Sequence, residues 1–268
     1  MSTNKTYDLH VLGTGSAMSN TRNNTSLALE TANKLVLIDC GFTTPRVLRE
    51  KNYTNKITDV LITHTHADHI GGLEVFAFER YFSNTKKPNI HLASKQFQKL
   101  LWEQGLSAGM SKTSNSRGEP LSMKLESYFV AHNGTKVDIA GLPPITYIPT
   151  KHIPGKECYA IQIGKDIYYS GDTTQLPPNT ARIIIQDCQN TKRSSTDIHI
   201  NYDKLKNSLP KHIRAKSYLI HIDDTFNQEV QQDGFAEVLQ DGDAFRINEE
   251  IIYRRKQDTT QIRADNHE

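Results

Sequence analysis

The chain has 268 residues, 36% of them hydrophobic, and its 32 basic and 30 acidic side chains leave a formal net charge of +2. That length suits one large domain, or at most two small ones, with a substantial core, and a single domain over 1–268 is the expectation. Near-balanced charge excludes the global basic field that drives non-specific nucleic-acid binding. No apolar run approaches the roughly 20 residues of a spanning helix, and the opening MSTNKTYDLH lacks the apolar core of a signal peptide. A cytoplasmic protein is therefore expected. The three scattered cysteines, Cys40, Cys158 and Cys188, read as isolated thiols of a reducing compartment, where the sequons at Asn23, Asn24, Asn52 and Asn133 carry no meaning.

In chain order, residues 7–12 predict a first strand that ends in Gly13-Thr14-Gly15-Ser16. Segments 25–30 and 35–39 read as a hairpin, and 44–52 as a helix. A buried strand over 57–63 runs into a group of histidines. Gly71-Gly72 then supply the backbone freedom to turn into a helix over 73–82. A short strand is expected at 90–93 and a helix over 94–104. Residues 105–120, rich in Gly, Ser and Lys, predict a mobile loop, either a linker or a lid. Strand signals recur at 145–149, 159–163, 167–171, 182–186 and 217–222, with a helix over 203–210 between the last two. Asp241-Gly242 predicts a tight turn between two closing strands. The charged tail 253–268 is expected to be solvated. The pattern is two β-rich halves with helices outside and strand ends meeting at one edge.

The strand over 57–63 ends in His64-Thr65-His66-Ala67-Asp68-His69. Imidazole nitrogens and carboxylate oxygens suit zinc and similar ions. Six residues cannot close two metal sites, so further ligands must come from later strand ends. His152 after ITYIPT, Asp172 after IYYSG and His221 in SYLIHIDD have the right chemistry and location. His10, His91, His132, His212 and His267 are assigned no role.

The order HTHADH, His152, Ser170-Gly171-Asp172-Thr173 and His221 resembles the metallo-β-lactamase superfamily. Leu12-Gly13-Thr14-Gly15-Ser16-Ala17, followed by Arg22-Asn23-Asn24-Thr25-Ser26, is similar to the opening of its tRNase Z-like branch. The resemblance covers roughly residues 7–225. It implies an α+β fold, the αββα sandwich of two mixed β-sheets flanked by helices. It also implies two divalent ions, with zinc expected and manganese the alternative. His64, His66 and His152 would hold one ion, Asp68, His69 and His221 the other, and Asp172 would bridge them. Such ions supply hydroxide at neutral pH for attack on phosphorus. Asp68 would orient that hydroxide. His199 would act as general acid, oriented by Asp187.

In bacterial tRNase Z a long insertion before the GDT segment forms an arm for tRNA. Here only twenty residues separate His152 from Asp172, and they read as two strands and a turn. The resemblance therefore points to a smaller phosphodiester, and is strongest in type to phage anti-Pycsar cyclic-nucleotide phosphodiesterases that counter host immune signals. It implies a homodimer in which the 105–120 loop reaches the neighbouring site, action in the host cytoplasm if the chain is viral, and no stable nucleic-acid partner. The alternatives are a tRNase Z-like RNA endonuclease and a carbonyl hydrolase such as a lactonase or thioesterase. The Arg22-Asn23 loop and the Asp187/His199 pair argue against the carbonyl hydrolase.

Overall fold

The computed structural model describes residues 6–190, 198–248 and 252–255. The first half folds as β1 (Tyr7–Gly13), β2 (Ser26–Glu30), β3 (Leu35–Ile38), α1 (Thr44–Glu50), β4 (Asp59–Leu61), α2 (Ala67–Ile70), α3 (Leu73–Phe82), β5 (Asn89–Leu92) and α4 (Lys95–Leu100). A π-helical turn (Leu101–Leu106) leads into α5 (Ser107–Met110), β6 (Lys112–Ser114), β7 (Pro120–Ser122), α6 (Leu125–Tyr128), β8 (Val130–Asn133) and β9 (Lys136–Val137). The remainder comprises β10 (Ile145–Pro149), β11 (Tyr159–Ile163), β12 (Ile167–Tyr169), β13 (Ile183–Asp187), α7 (Tyr202–Ser208), α8 (Lys211–Arg214), β14 (Ser217–Ile220), β15 (Glu237–Val238), β16 (Ala244–Ile247) and β17 (Ile252–Arg255).

The strands form an eight-stranded sheet, β17-β16-β1-β2-β3-β4-β5-β8, and a seven-stranded sheet, β15-β14-β13-β12-β11-β10-β9, with β6 and β7 as a separate hairpin. Continuous apolar runs such as LVLI of β3 are buried on both faces, as parallel strands covered on both sides require. One core joins the sheets, with Leu9, Leu37 and Val60 from the first and Tyr147, Ile161 and Ile183 from the second. Each such fully buried aliphatic side chain contributes about 1.5–3 kcal/mol relative to exposure. Helix α3 turns Leu73, Phe76, Ala77 and Arg80 inward at helical spacing. A second apolar layer seats α7 and α8 on the second sheet through Ile184, Leu219, Leu205 and Ile213. This is the expected αββα sandwich.

Several local expectations are corrected. The strand before the histidines is shorter, because side chains replace its ladder: Ile62 N–H donates to Tyr147 Oη at 3.3 Å and Thr63 N–H to Asp39 Oδ1 at 2.8 Å. Gly71 and Gly72 keep right-handed backbone angles. Their role is close packing, since a Cβ on Gly72 would lie 2.2 Å from the Gly41 carbonyl oxygen. Residues 105–120, expected as a mobile loop, hold the end of the π turn, α5 and most of the β6–β7 hairpin. The helix expected over 203–210 stops at Ser208 before Pro210, and α8 follows. Asp241-Gly242 does turn, but β15 and β16 on either side belong to different sheets. Asp241 instead ties down the opening loop, accepting from Thr14 Oγ1 at 2.7 Å and Asn23 N–H at 2.7 Å. The start of the charged tail is strand β17, where Arg254 pairs with Glu237 and Asp243. Residues 256–268 lie outside the described residues.

Candidate metal centre

Every candidate ligand lies just beyond the carboxyl end of a strand. β3, β4 and β5 run parallel in the first sheet, and β12, β13 and β14 in the second. β10 is antiparallel to β11, which is antiparallel to β12, so β10 runs with the group. His64–His69 therefore follow β4, His152 follows β10, Asp172 follows β12, Asp187 closes β13 and His221 follows β14. Crevices beyond strand carboxyl ends are where open α/β sheets place ligands.

The geometry divides these residues into two groups that share one carboxylate. His66 Nδ1 lies 3.0 Å from His64 Nε2 and 3.1 Å from His152 Nε2. His221 Nε2 lies 3.2 Å from Asp68 Oδ2, and His69 Nε2 3.4 Å from the same oxygen. Asp172 Oδ2 faces the first group, 3.4 Å from His64 and 3.7 Å from His152. Its Oδ1 faces the second, 3.2 Å from His69 and 3.6 Å from His221. Gly171, at φ +54°, makes this placement possible: a Cβ there would lie 2.7 Å from the Tyr159 carbonyl oxygen.

Hydrogen bonds behind the rings fix which nitrogens face inward. His69 Nδ1 donates to Asp39 Oδ2 at 2.9 Å. His64 Nδ1 lies 3.1 Å from Thr63 Oγ1, which itself donates to Asp39 Oδ2 at 2.8 Å. His152 Nδ1 donates to the Ile198 carbonyl at 2.6 Å. Such partners orient metal-binding imidazoles and raise their basicity. Asp39 is fully buried and adopts φ +62°, and His221 adopts φ +63°. These are two of the four non-glycine left-handed residues among the described residues, and both sit at the site.

Electrostatics follow the same division. Burial, then His64 and Lys156, hold His66 down to about 3. Burial holds His152 down to about 4 and also lowers His64. Burial opposes protonation of His69 and His221, yet Asp172 and Asp39 raise the first, and Asp172, Asp187 and Asp68 lift the second to about 10. Burial likewise opposes ionisation of Asp172, but His221, His69 and His64 hold its carboxyl well below the usual range. The first group thus offers neutral lone pairs. In the second, a cation would displace protons that the carboxylates retain.

The residues present fit divalent ions. His69 Nε2 and Asp172 Oδ1 are buried with no hydrogen-bond partner, and the ligand atoms in each group lie within 4.8 Å of one another. Uncompensated buried polar atoms are costly, and coordination relieves that cost.

His199 stands beside this cluster. Its Nδ1 lies 2.9 Å from Asp187 Oδ2, and its ring centroid 4.7 Å from that of His152 and 4.8 Å from that of His221. The neighbouring Ile200 N–H donates to the Thr173 carbonyl at 2.7 Å, which pins the segment. Burial opposes protonation of His199, but Asp187 raises its pKa. Asp187 Oδ2 also accepts from Thr173 N–H at 2.9 Å, while Oδ1 approaches His221 Nδ1 at 3.5 Å. Asp187 thus serves both rings.

The structure brings together all nine residues singled out from the sequence. Sequence reasoning missed Asp39 and Thr63; the one local signal, an acidic residue closing an apolar strand before Cys40-Gly41, is too common to single Asp39 out. His10, His91 and His132 are occupied elsewhere, by Glu30, Asp59 and Asn89. His212 lies on α8, and His267 is outside the described residues. A cavity of about 690 Å³ opens beside His152, lined also by Ile153, Thr174 and Ile198. A second, of about 310 Å³, is lined by Thr65, Gln104 and Lys156.

A two-sheet sandwich with histidines and aspartates gathered beyond its strand ends defines a metal-dependent hydrolase of the metallo-β-lactamase fold. A diphosphatase of the PhnP family shares this fold with a TM-score of 0.68 at 19% identity, over 89% of this chain and 96% of that one. The short form of human tRNase Z does so with a TM-score of 0.60 at 17% identity, over 88% and 98%. A family profile described as anti-Pycsar protein Apyc1 matches residues 7–245. An anti-Pycsar protein Apyc1 of Paenibacillus harenae is 32% identical over 245 residues, 87% of this chain and 96% of the relative. One from Bacillus phage 010DV004 is 30% identical over 239 residues, 82% and 90%. The chain belongs to the anti-Pycsar Apyc1 family.

Proposed function

We propose that the chain is a two-metal phosphodiesterase that hydrolyses 3′,5′-cyclic mononucleotides in the cytoplasm, and that its residues 1–268 form one domain. In this reading His64, His66 and His152 hold one ion and Asp68, His69 and His221 the second. The observation that carries it is Asp172, whose two oxygens each face a different histidine group. Zinc suits these nitrogen and oxygen ligands, and manganese is the alternative. When bound, the ions supply hydroxide near neutral pH and positive charge for phosphate oxygens.

The chain's own residues do the rest. Asp68 orients the attacking water. His199 gives its Nε2 proton to the leaving sugar oxygen as the P–O ester bond breaks, and Asp187, bound to its Nδ1, keeps Nε2 turned outward. The short β11–β12 hairpin between His152 and Asp172 leaves no arm for a folded RNA. The 690 Å³ cavity beside His152 is of small-ligand size. Self-association as a homodimer is supported by aromatic side chains at the end of α3: Phe82 meets Tyr81 edge-to-face and Phe78 at a tilt, and Phe82 is 67% exposed.

The test is the purified, metal-loaded protein against 3′,5′-cyclic mononucleotides, linear RNA, pre-tRNA and a lactone. Opening of the cyclic nucleotides is the expected result. Intact cyclic nucleotides alongside trimmed pre-tRNA or an opened lactone would overturn the reading.

A further inference from the structure

Lys156 occupies a place that the catalytic reading leaves unexplained. Directly after His152 the chain makes the turn Ile153-Pro154-Gly155-Lys156, closed by Lys156 N–H donating to the Ile153 carbonyl at 3.1 Å. Proline in second position and Gly155 at φ +80° in third match a type II turn, which is stiff. This turn is the wall between the two cavities: Pro154, Gly155 and Lys156 line both.

The Lys156 charge is uncompensated. Its side chain is half-buried, and among the described residues it has no ion pair or side-chain hydrogen bond. The adjacent Glu157 turns elsewhere, accepting from Tyr159 Oη at 2.6 Å and Ser94 Oγ at 3.1 Å. Lys156 nevertheless stands at the metal cluster, lining the larger cavity together with His152 and the smaller one together with Thr65, which lies between His64 and His66. A cation beside a cation-binding cluster disfavours the ion-loaded, substrate-free state. An arriving anion removes that cost. A lysine ammonium is a compact point charge on a flexible stem and a common phosphate binder.

We infer that Lys156 is a substrate-binding cation that receives a non-bridging phosphate oxygen at the wall between the cavities, with the rest of the substrate in the larger one. It thereby selects singly charged phosphate diesters over uncharged esters. The inference rests on the phosphodiesterase reading.

The test compares Lys156→Ala, Lys156→Met, Lys156→Arg and Lys165→Ala with the unaltered protein. The Met variant keeps the stem in case alanine loosens the turn, and Lys165, at the far end of β11, controls for net charge. Metal content, kcat and KM for a 3′,5′-cyclic mononucleotide and for bis(p-nitrophenyl) phosphate, and the calorimetric Kd of inorganic phosphate are measured. Loss of a charged hydrogen bond predicts KM and phosphate Kd raised about tenfold or more in the Ala and Met variants. Metal content and kcat should stay within about threefold, Arg should restore most of the affinity, and Lys165→Ala should change neither constant. Unchanged KM and phosphate Kd, with the unaltered protein active, would overturn the role of Lys156 and leave the phosphodiesterase reading standing. If the unaltered protein cleaves no diester, that reading fails, and the phosphate Kd still decides whether Lys156 binds the anion.

Discussion

The first sheet delivers four candidate ligand residues from one short segment after β4, His64 and His66 from its loop and Asp68 and His69 from α2. The second delivers His152, Asp172 and His221 one apiece, from the ends of β10, β12 and β14. That segment is tied locally, with His69 and Ile70 N–H donating to the His66 carbonyl and Cys40 N–H to the His69 carbonyl, and is oriented from behind by Asp39 and Thr63. Dispersed residues depend on strand register, because one slipped residue turns a side chain to the opposite face. In the proposed two-ion reading the first sheet supplies most of the nitrogen ligands, while the second supplies the shared carboxylate Asp172 and the proposed proton-handling pair Asp187 and His199.

The largest effect should come from Asp172→Ala, the residue on which both groups converge. Turnover should fall by more than about 10³-fold together with metal content, since metal activation of water goes with it. Full occupancy of both sites in that variant, by elemental analysis, would break the sharing of Asp172. His199→Ala should slow turnover by roughly 10²–10⁴-fold, the scale of a general acid, with metal content intact. An unchanged rate would remove His199 from the chemistry. Asp39→Asn should weaken metal binding by roughly 10–100-fold in chelator competition, the ion beside His69 most. Equal affinity in the variant would show that the first sheet holds its ligands without this support.

Arg254→Ala tests the sheets as a scaffold away from the site. Arg254, on β17 of the first sheet, pairs with Asp243 in the β15–β16 connection that joins the two sheets and with Glu237 on β15 of the second. Its removal leaves the buried Asp243 without its cation and should cost about 2–3 kcal/mol, lowering Tm by roughly 5–10 °C. Turnover below the melting point should be unchanged. An unshifted Tm would mean that the core alone clips the two sheets.

Legibility followed the same divide. HTHADH could be read directly, because one loop confines its side chains whatever the rest of the chain does. His152, Asp172 and His221 were readable as polar residues at the ends of apolar runs, since strands are apolar and their ends are wet. Asp39 was not, because an aspartate closing a strand has many uses, and only Tyr169, Thr63 and His69 converging on it from three places reveal this one. The β6–β7 hairpin within 105–122 was not legible, because Gly and Ser content masks strands held by backbone pairing. The turn at Asp241 was recognised while its partners were not: residue types specify a turn, but not which sheets it joins.

The sequence alone determined that histidines and aspartates suited to a metal lie at strand ends, that strands carry those residues to one edge, and which family the chain resembles. These are local matters of spacing and side-chain chemistry. Tertiary structure decided that the two oxygens of Asp172 face different histidine groups, that His66 turns Nδ1 toward the Nε2 atoms of His64 and His152, and that Lys156, with no ion pair among the described residues, lies between two cavities. These placements bring together residues far apart in the chain, and packing across the core that both sheets share is what makes them meet.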